Sequence, residues 1–501
     1  MAKVLVIGAG GASLSAAISA KEKGSEVIVV TKEYPTRSQT CMAQGGINAA
    51  LNKDDSIEQH IKDTTKSAKG LADEKMVSSL CQEAPKAIEW LESIGVPFSR
   101  TKEGKIAQRK LGGAYAARAC YAQDYTGLKI LHTLYDYANK LDIAFLNERF
   151  LLELLTKEDT VYGAVFLNIK TGEIEAITAD SVILATGGYS KLYNTNSTNS
   201  KAATGDGIAV AKQAGCTLSN MEFVQFHPTA LKNSAILISE SARGTGGKLL
   251  NSKGERFVDE LKPRDEVSLA IFKEIQKKED IFLDITHLGE EFIDEELPQE
   301  RKLALLYEGV DPVSEQLPIK PAAHYTMGGI AVDYNLETNI KDLYAVGECS
   351  ESKVHGANRL GGNSLLEIVA FGKKAGENAT NTQTKQPFDV SLHVKQNQQR
   401  LQNYKKESTP INFYEKRKEL GERFYAQCGI IRDEKNLKSL LSYIEDLQNQ
   451  LSQMGVTDSS KAYNTNLVDF LEFINTVEIA KEVASAALLN KKSTGAHFRV
   501  D

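Results

Sequence analysis

Val4-Leu5-Val6-Ile7-Gly8-Ala9-Gly10-Gly11-Ala12-Ser13 decides the fold of this 501-residue chain. Four apolar residues without alternation suit a parallel strand covered on both faces. The glycines beyond them permit a tight turn and close approach of backbone to a ligand. Apolar spacing predicts a helix over Ala12–Lys23 with Gly24 as its stop, then a second strand over Glu26–Val30. A β-α-β unit of this kind holds a dinucleotide pyrophosphate at its helix N-terminus. The glycine pattern is G-x-G-x-x-S rather than G-x-G-x-x-G, and Thr31-Lys32 stands where an acidic ligand for the ribose is usual, which disfavours NAD.

Two further stretches repeat this strand-into-glycine pattern. Ser181-Val-Ile-Leu-Ala185-Thr186-Gly187-Gly188 reads as another buried strand, followed by Thr204-Gly205-Asp206-Gly207 opening a helix, with Asp206 placed to cap it. Residues 322–367 contain Ala322-Ala-His324-Tyr-Thr-Met-Gly-Gly, then Leu343-Tyr-Ala-Val-Gly347-Glu348, then Gly356-Ala-Asn-Arg359-Leu-Gly-Gly-Asn-Ser364-Leu365. A histidine and an arginine among glycines let cationic side chains and bare backbone amides reach one small anion.

Composition narrows the function classes. A formal net charge of -6 with mixed signs offers no polybasic face, so nucleic acid and anionic lipid are not expected partners. No apolar run is long enough to cross a bilayer, and the N-terminus runs straight into a strand without a signal pattern, so the expected location is cytoplasmic. The six cysteines, Cys41, Cys81, Cys120, Cys216, Cys349 and Cys428, form no C-x-x-C pair. Neither a zinc site nor an iron-sulfur cluster is expected from them, and no metal ligand is assigned.

The rest of the chain reads as organisation. Glu58–Leu91 has the spacing of surface helices on a sheet, and His132, flanked by leucines on a predicted helix, reads as a packing residue. Ala144–Glu148, Leu151–Thr156, Val161–Asn168 and Glu173–Thr178 read as a meander of short strands leading back to the sheet. An inserted Glu- and Lys-rich segment, amphipathic over Val267–Ile275, suits a cap that closes over substrate and expels water. Residues 378–410 turn polar, as a linker does, and Leu437 to Leu451 and Leu467 to Leu489 repeat at three and four, as a helical bundle does. The resulting architecture is α/β: a Rossmann-like dinucleotide-binding domain in two parts, 1–228 and 322–380, an α+β capping domain over 229–321, and a linker with a helical domain over 381–501.

These motifs, in this order, resemble the flavoprotein subunit of the succinate dehydrogenase and fumarate reductase family over nearly the whole length. The loop Thr36-Arg-Ser38-Gln39-Thr40-Cys-Met-Ala43-Gln-Gly45-Gly46 is similar to the family's loop along the flavin, the run from Arg118 to Thr126-Gly is matched as well, and Thr494-Gly-Ala-His497-Phe-Arg499 matches the family's C-terminal element apart from its first arginine. The resemblance implies FAD held by Gly8, Gly10, Gly11, Ala12, Ser13, Thr31, Lys32, Ser38, Gln39, Thr40, Gly45, Gly46, Ala185, Thr186, Gly187, Asp206, Glu348, Arg359, Ser364 and Leu365. Respiratory members carry histidine at the Gln39 position and bond it to the flavin. A carboxamide cannot form that bond, so non-covalent FAD is expected.

The family's substrate is a four-carbon dicarboxylate, and the resemblance assigns each part of that chemistry. His324 and Arg359 match the clamp for one carboxylate, while His227 and Ser239, with serine where threonine is usual, match the groups on the other. Arg264 matches the proton donor, and Glu240 and Arg243 match its proton pathway. Fumarate reduction is the favoured direction, with an iron-sulfur subunit as expected partner and other subunits as the possible attachment to a membrane's inner face. The long C-terminal extension of many members is missing from the sequence, which bears on the usual docking of that partner. The alternatives are L-aspartate oxidase, a relative that also uses non-covalent FAD, and a flavin electron-transfer subunit without chemistry of its own.

Overall fold

The computed structural model describes residues 2–501. Its centre is a five-stranded parallel sheet in the order Leu343–Ala345, Ser181–Leu184, Lys3–Ile7, Glu26–Thr31 and Ala144–Asn147. Val4, Leu5 and Val6 are wholly buried, as a strand between two helical layers must be. The edge strand Ala144–Asn147 corrects the expected meander: it pairs in parallel with Glu26–Thr31 in the main sheet, and only the three strands within 149–178 form the separate antiparallel sheet.

Helix Gly11–Glu22 leaves the first glycine turn and lies on helix Asn363–Ala379, which leaves the last. Small residues set that distance. A Cβ at Gly372 would stand 2.7 Å from Ser15 Cβ, and one at Gly376 would stand 2.2 Å from Ala16 O. The two helices that point at the cofactor region are thereby fixed against each other.

The chain passes from this body into the cap through two antiparallel strands, Val224–Leu231 and Leu317–Thr326, which continue into a four-stranded sheet with Ile281–Asp284 and Lys248–Asn251. Residues 228–229 and 321–322 therefore lie within these two strands, with a break in the pairing register between His227 and Ala230. The cap has an apolar core of its own, including Ile238, Leu249, Val267, Ile271, Leu283 and Ile319. Over it run helices Arg264–Gln276, Glu290–Glu296 and Pro298–Tyr307.

Helices Phe413–Gln427, Glu434–Gln450 and Thr465–Leu489 form the C-terminal bundle. The stretch read as a polar linker holds a helix, Ser391–Tyr404, whose His393 and Asn397 bond the Glu153 carboxylate on the antiparallel sheet. His132 is exposed on helix Thr126–Lys140, so it is not the packing residue expected of it. Among the described residues, no helix is long and apolar enough to cross a membrane.

Candidate active site

One large cavity runs from the first glycine turn to the underside of the cap, with about 1730 Å³ of empty space including its mouth. Every cofactor residue expected from the sequence lines it except Ser13, and so do His227, Ser239, Glu240, Arg264, His324 and Arg359.

Gly8 has φ 115°, and a Cβ there would meet Ala185 O at 2.2 Å, because two glycine turns are stacked at this point. Ser13 serves that stacking: its hydroxyl donates to Ala185 O at 3.1 Å instead of facing the cavity. The loop from Gln39 to Gly46 is tied down by Gly11 N–H donating to Thr40 Oγ1 (3.0 Å) and Gly127 N–H donating to Ala43 O (2.7 Å). The cavity wall fits a polar cofactor. Ser38 Oγ and Thr186 Oγ1 line it, buried and without a partner in the protein, which a bound dinucleotide would supply.

Lys32 and Asp206 touch the cavity, but their charges are directed elsewhere. Lys32 Nζ lies 2.7 Å from Asp206 Oδ2 and 2.7 Å from Glu472 Oε1 on the long C-terminal helix. Burial opposes its charge, yet the two carboxylates win and raise its pKa. Gly205 occupies the cap position of helix Asp206–Gln213, so Asp206 sits in the first turn and bonds Lys32, Thr204 and Asn475 rather than capping.

At the other end of the cavity the substrate-side residues converge. The His227 and His324 rings lie 4.9 Å apart between centroids. Burial and the nearby Arg264 hold both well below the usual imidazole pKa, so they stand as neutral hydrogen-bonding groups rather than the cations the sequence suggested. Thr198 Oγ1 meets His324 Nδ1 at 2.8 Å, which fixes that ring. Arg359 keeps a single hydrogen bond, from Nη1 to Leu360 O, and its Nε is buried and free. Its guanidinium lies 4.4 Å over the Tyr325 ring, whose hydroxyl donates to Glu367. Burial and Arg264 lower its pKa to about 10.

Arg264 is held from two sides. Its Nε and Nη2 donate to Glu240 Oε2 at 3.0 and 2.6 Å, and Nη1 donates to Gln225 Oε1 at 3.0 Å. Burial works against the Glu240 charge, but Arg264 and Arg243 keep its carboxyl below the usual range. Arg243 lies behind it, 3.7 Å from Glu240 Oε1 and off the cavity wall, with Nε and Nη2 unpartnered. Ser239 is the cap residue of the short helix Glu240–Gly244 that carries both.

Sequence reasoning missed Gln225, whose Nε2 donates to Arg359 O while its Oε1 receives Arg264. Its need for partners comes from its complete burial two residues before His227, which only the fold shows. Glu348, buried against Thr326 N–H at 2.9 Å, has its carboxyl pushed up to about 7 by burial.

The FAD binding domain family matches residues 3–365, and the fumarate reductase flavoprotein C-terminal family matches residues 417–501. The chain is 37% identical to the fumarate reductase flavoprotein subunit of Haemophilus influenzae over 532 residues, covering 99% of this chain and 89% of that one. It is 37% identical to the succinate dehydrogenase flavoprotein subunit of Rickettsia felis, covering 99% and 90%. A solved quinol-fumarate reductase with menaquinol molecules superimposes with a TM-score of 0.96 at 37% identity, covering 100% of this chain and 92% of that one. With both family matches in place and similarity spanning nearly all its length, the chain belongs to the FAD-dependent flavoprotein-subunit family of fumarate reductases and succinate dehydrogenases.

Proposed function

We propose that this chain is the catalytic flavoprotein of a fumarate reductase or succinate dehydrogenase, working mainly toward fumarate reduction with non-covalent FAD. The supporting observation is that His227, Ser239, His324, Arg264 and Arg359 share a cavity with the glycine turns of an FAD-binding fold. Bound FAD supplies the hydride donor and acceptor. Arg359 and His324 hold one carboxylate of the substrate, and His227 and Ser239 hold the other. A neutral imidazole still donates an N–H, and the forked guanidinium grips two oxygens at once.

Arg264 delivers the proton to the substrate carbon next to the one that receives hydride. A guanidinium ordinarily keeps its proton, so this requires a strongly basic, carbanion-like carbon and rapid resupply. Its contacts to Glu240 and Gln225 fix its direction, and Glu240 with Arg243 behind it forms the resupply line. Gln39 Oε1 accepts Ser200 N–H at 2.7 Å, which seats a carboxamide where respiratory members bond the flavin. Without that bond the flavin potential stays lower, which favours fumarate reduction.

Electrons for the reaction arrive through an iron-sulfur subunit, and that partner places the chain on the cytoplasmic side of a membrane complex. Steady-state assay decides against the nearest rival. Dye-driven fumarate reduction without aspartate-dependent hydrogen peroxide supports the assignment, and the reverse pattern identifies L-aspartate oxidase.

A further inference from the structure

Two carboxyls are buried between cap and body outside the relay. Asp124 lies just ahead of helix Thr126–Lys140 in the body, Glu300 lies in the first turn of cap helix Pro298–Tyr307, and neither exposes any surface. Asp124 Oδ2 accepts the N–H groups of Gln299 at 2.6 Å and Glu300 at 3.3 Å, so a body carboxylate sits on the positive end of a cap helix. Glu300 Oε1 accepts the N–H of Ser239 at 3.2 Å. The remaining oxygen of each, Asp124 Oδ1 and Glu300 Oε2, is buried without a partner, and the nearby Asp124 carboxyl adds to the burial that disfavours charge on Glu300. Two ionised carboxylates there would set acceptor against acceptor and charge against like charge. One proton between those oxygens satisfies both.

We propose that Glu300 is a positioning residue holding a proton shared with Asp124, and that this proton locks the cap onto the body with Ser239 and the relay helix set against substrate. The proposal rests on the dicarboxylate reading of the site. Arg109 and Tyr125 face the pair from the body, while Tyr121 from the body and Glu296 from the cap face Arg109. Arg109 is the one cation among these. Its guanidinium stacks 3.9 Å over Tyr121 and donates to Gln123 O, so it opposes the proton without bonding either carboxylate. Burial, then Asp124, hold the Glu300 carboxyl well above its usual range. As pH rises the proton leaves, two buried negative charges face each other across the cap-body junction, and closure weakens. The effect falls on substrate binding rather than on chemistry once substrate is bound.

Glu300→Gln tests this in the FAD-loaded protein. The amide can donate to Asp124 Oδ1 while its oxygen accepts Ser239 N–H, which preserves the geometry with no proton to lose. The KM for fumarate of the parent protein is expected to rise on the alkaline side, by up to about tenfold per pH unit once the pair ionises, with kcat nearly unchanged. E300Q should show a flat KM, and Asp124→Asn should flatten it as a second variant. The infrared band of a protonated carboxyl, measured without substrate at neutral pH, should be present in the parent and diminished in E300Q. An alkaline KM rise that persists in both variants, or a carboxyl band unchanged by E300Q, overturns the proposal. Because the infrared measurement needs no turnover, a failure to reduce fumarate would count against the proposed function and leave the shared proton separately testable.

Discussion

The chemistry of this site turns on how individual side chains are aimed. Arg264 is held by Glu240 and Gln225, both buried, and a lysine cannot reproduce that fork. Arg264→Lys should keep FAD and still bind dicarboxylate but lose about 10²-fold or more in turnover, measured by dye-linked fumarate reduction. Near-normal turnover would refute the proton-donor role. Gly361 matters for a related reason. A Cβ there would lie 2.7 Å from Glu240 Oε2 and 3.4 Å from Arg264 Nη2, so Gly361→Ala should lower kcat with FAD content unchanged. Glu348 bears on pH. Its carboxyl ionises near 7 when folded but near 4.5 when unfolded, so the folded state binds the extra proton between those values and loses stability as pH rises through them. Glu348→Gln carries no such penalty. Its melting temperature relative to the parent should therefore climb between pH 5 and 8, and a constant difference would remove the assignment. At this scale the sequence revealed glycine turns and charged residues within recognisable motifs. It did not reveal Gln225, Asp124 or Glu300, whose partners lie tens to hundreds of positions away and are joined only by folding.

At the scale of elements, the nucleotide-binding body and the C-terminal bundle meet at a buried cation. Lys32, at the end of the second strand, bridges Asp206 and Glu472, so helix Thr465–Leu489 is anchored beside the cofactor cavity. Removing one partner of a buried ionic group leaves uncompensated charge and costs about 3–5 kcal/mol. Lys32→Met should thus lower the melting temperature and weaken FAD retention, and adding Glu472→Gln should restore part of the loss. An unchanged melting temperature with full FAD content would show the bridge to be incidental. The strands and helices legible in the sequence were those with one dominant period. Val4–Ile7 has no alternation and Leu437–Leu451 repeats at three and four, and both formed as read. Helix Ser391–Tyr404 escaped because its buried residues are only Asn397 and Leu401, too few to mark a face. Ala144–Asn147 was recognised as a strand but placed with the wrong neighbours, since pairing depends on the sheet edge available rather than on the four residues themselves.

On the scale of the whole molecule, cap and body enclose one large cavity. The cap contributes Arg264 and Ser239, the body contributes the glycine turns with Arg359, and the two connecting strands contribute His227 and His324. The proposed substrate site is therefore built from parts that the chain keeps far apart. The most direct test is anaerobic: reduce the flavin of the purified chain chemically, remove excess reductant, and add fumarate while following flavin absorbance. The account predicts stoichiometric reoxidation of the flavin with formation of succinate, strongly slowed in Arg264→Lys. A flavin that stays bleached in the presence of fumarate would contradict it.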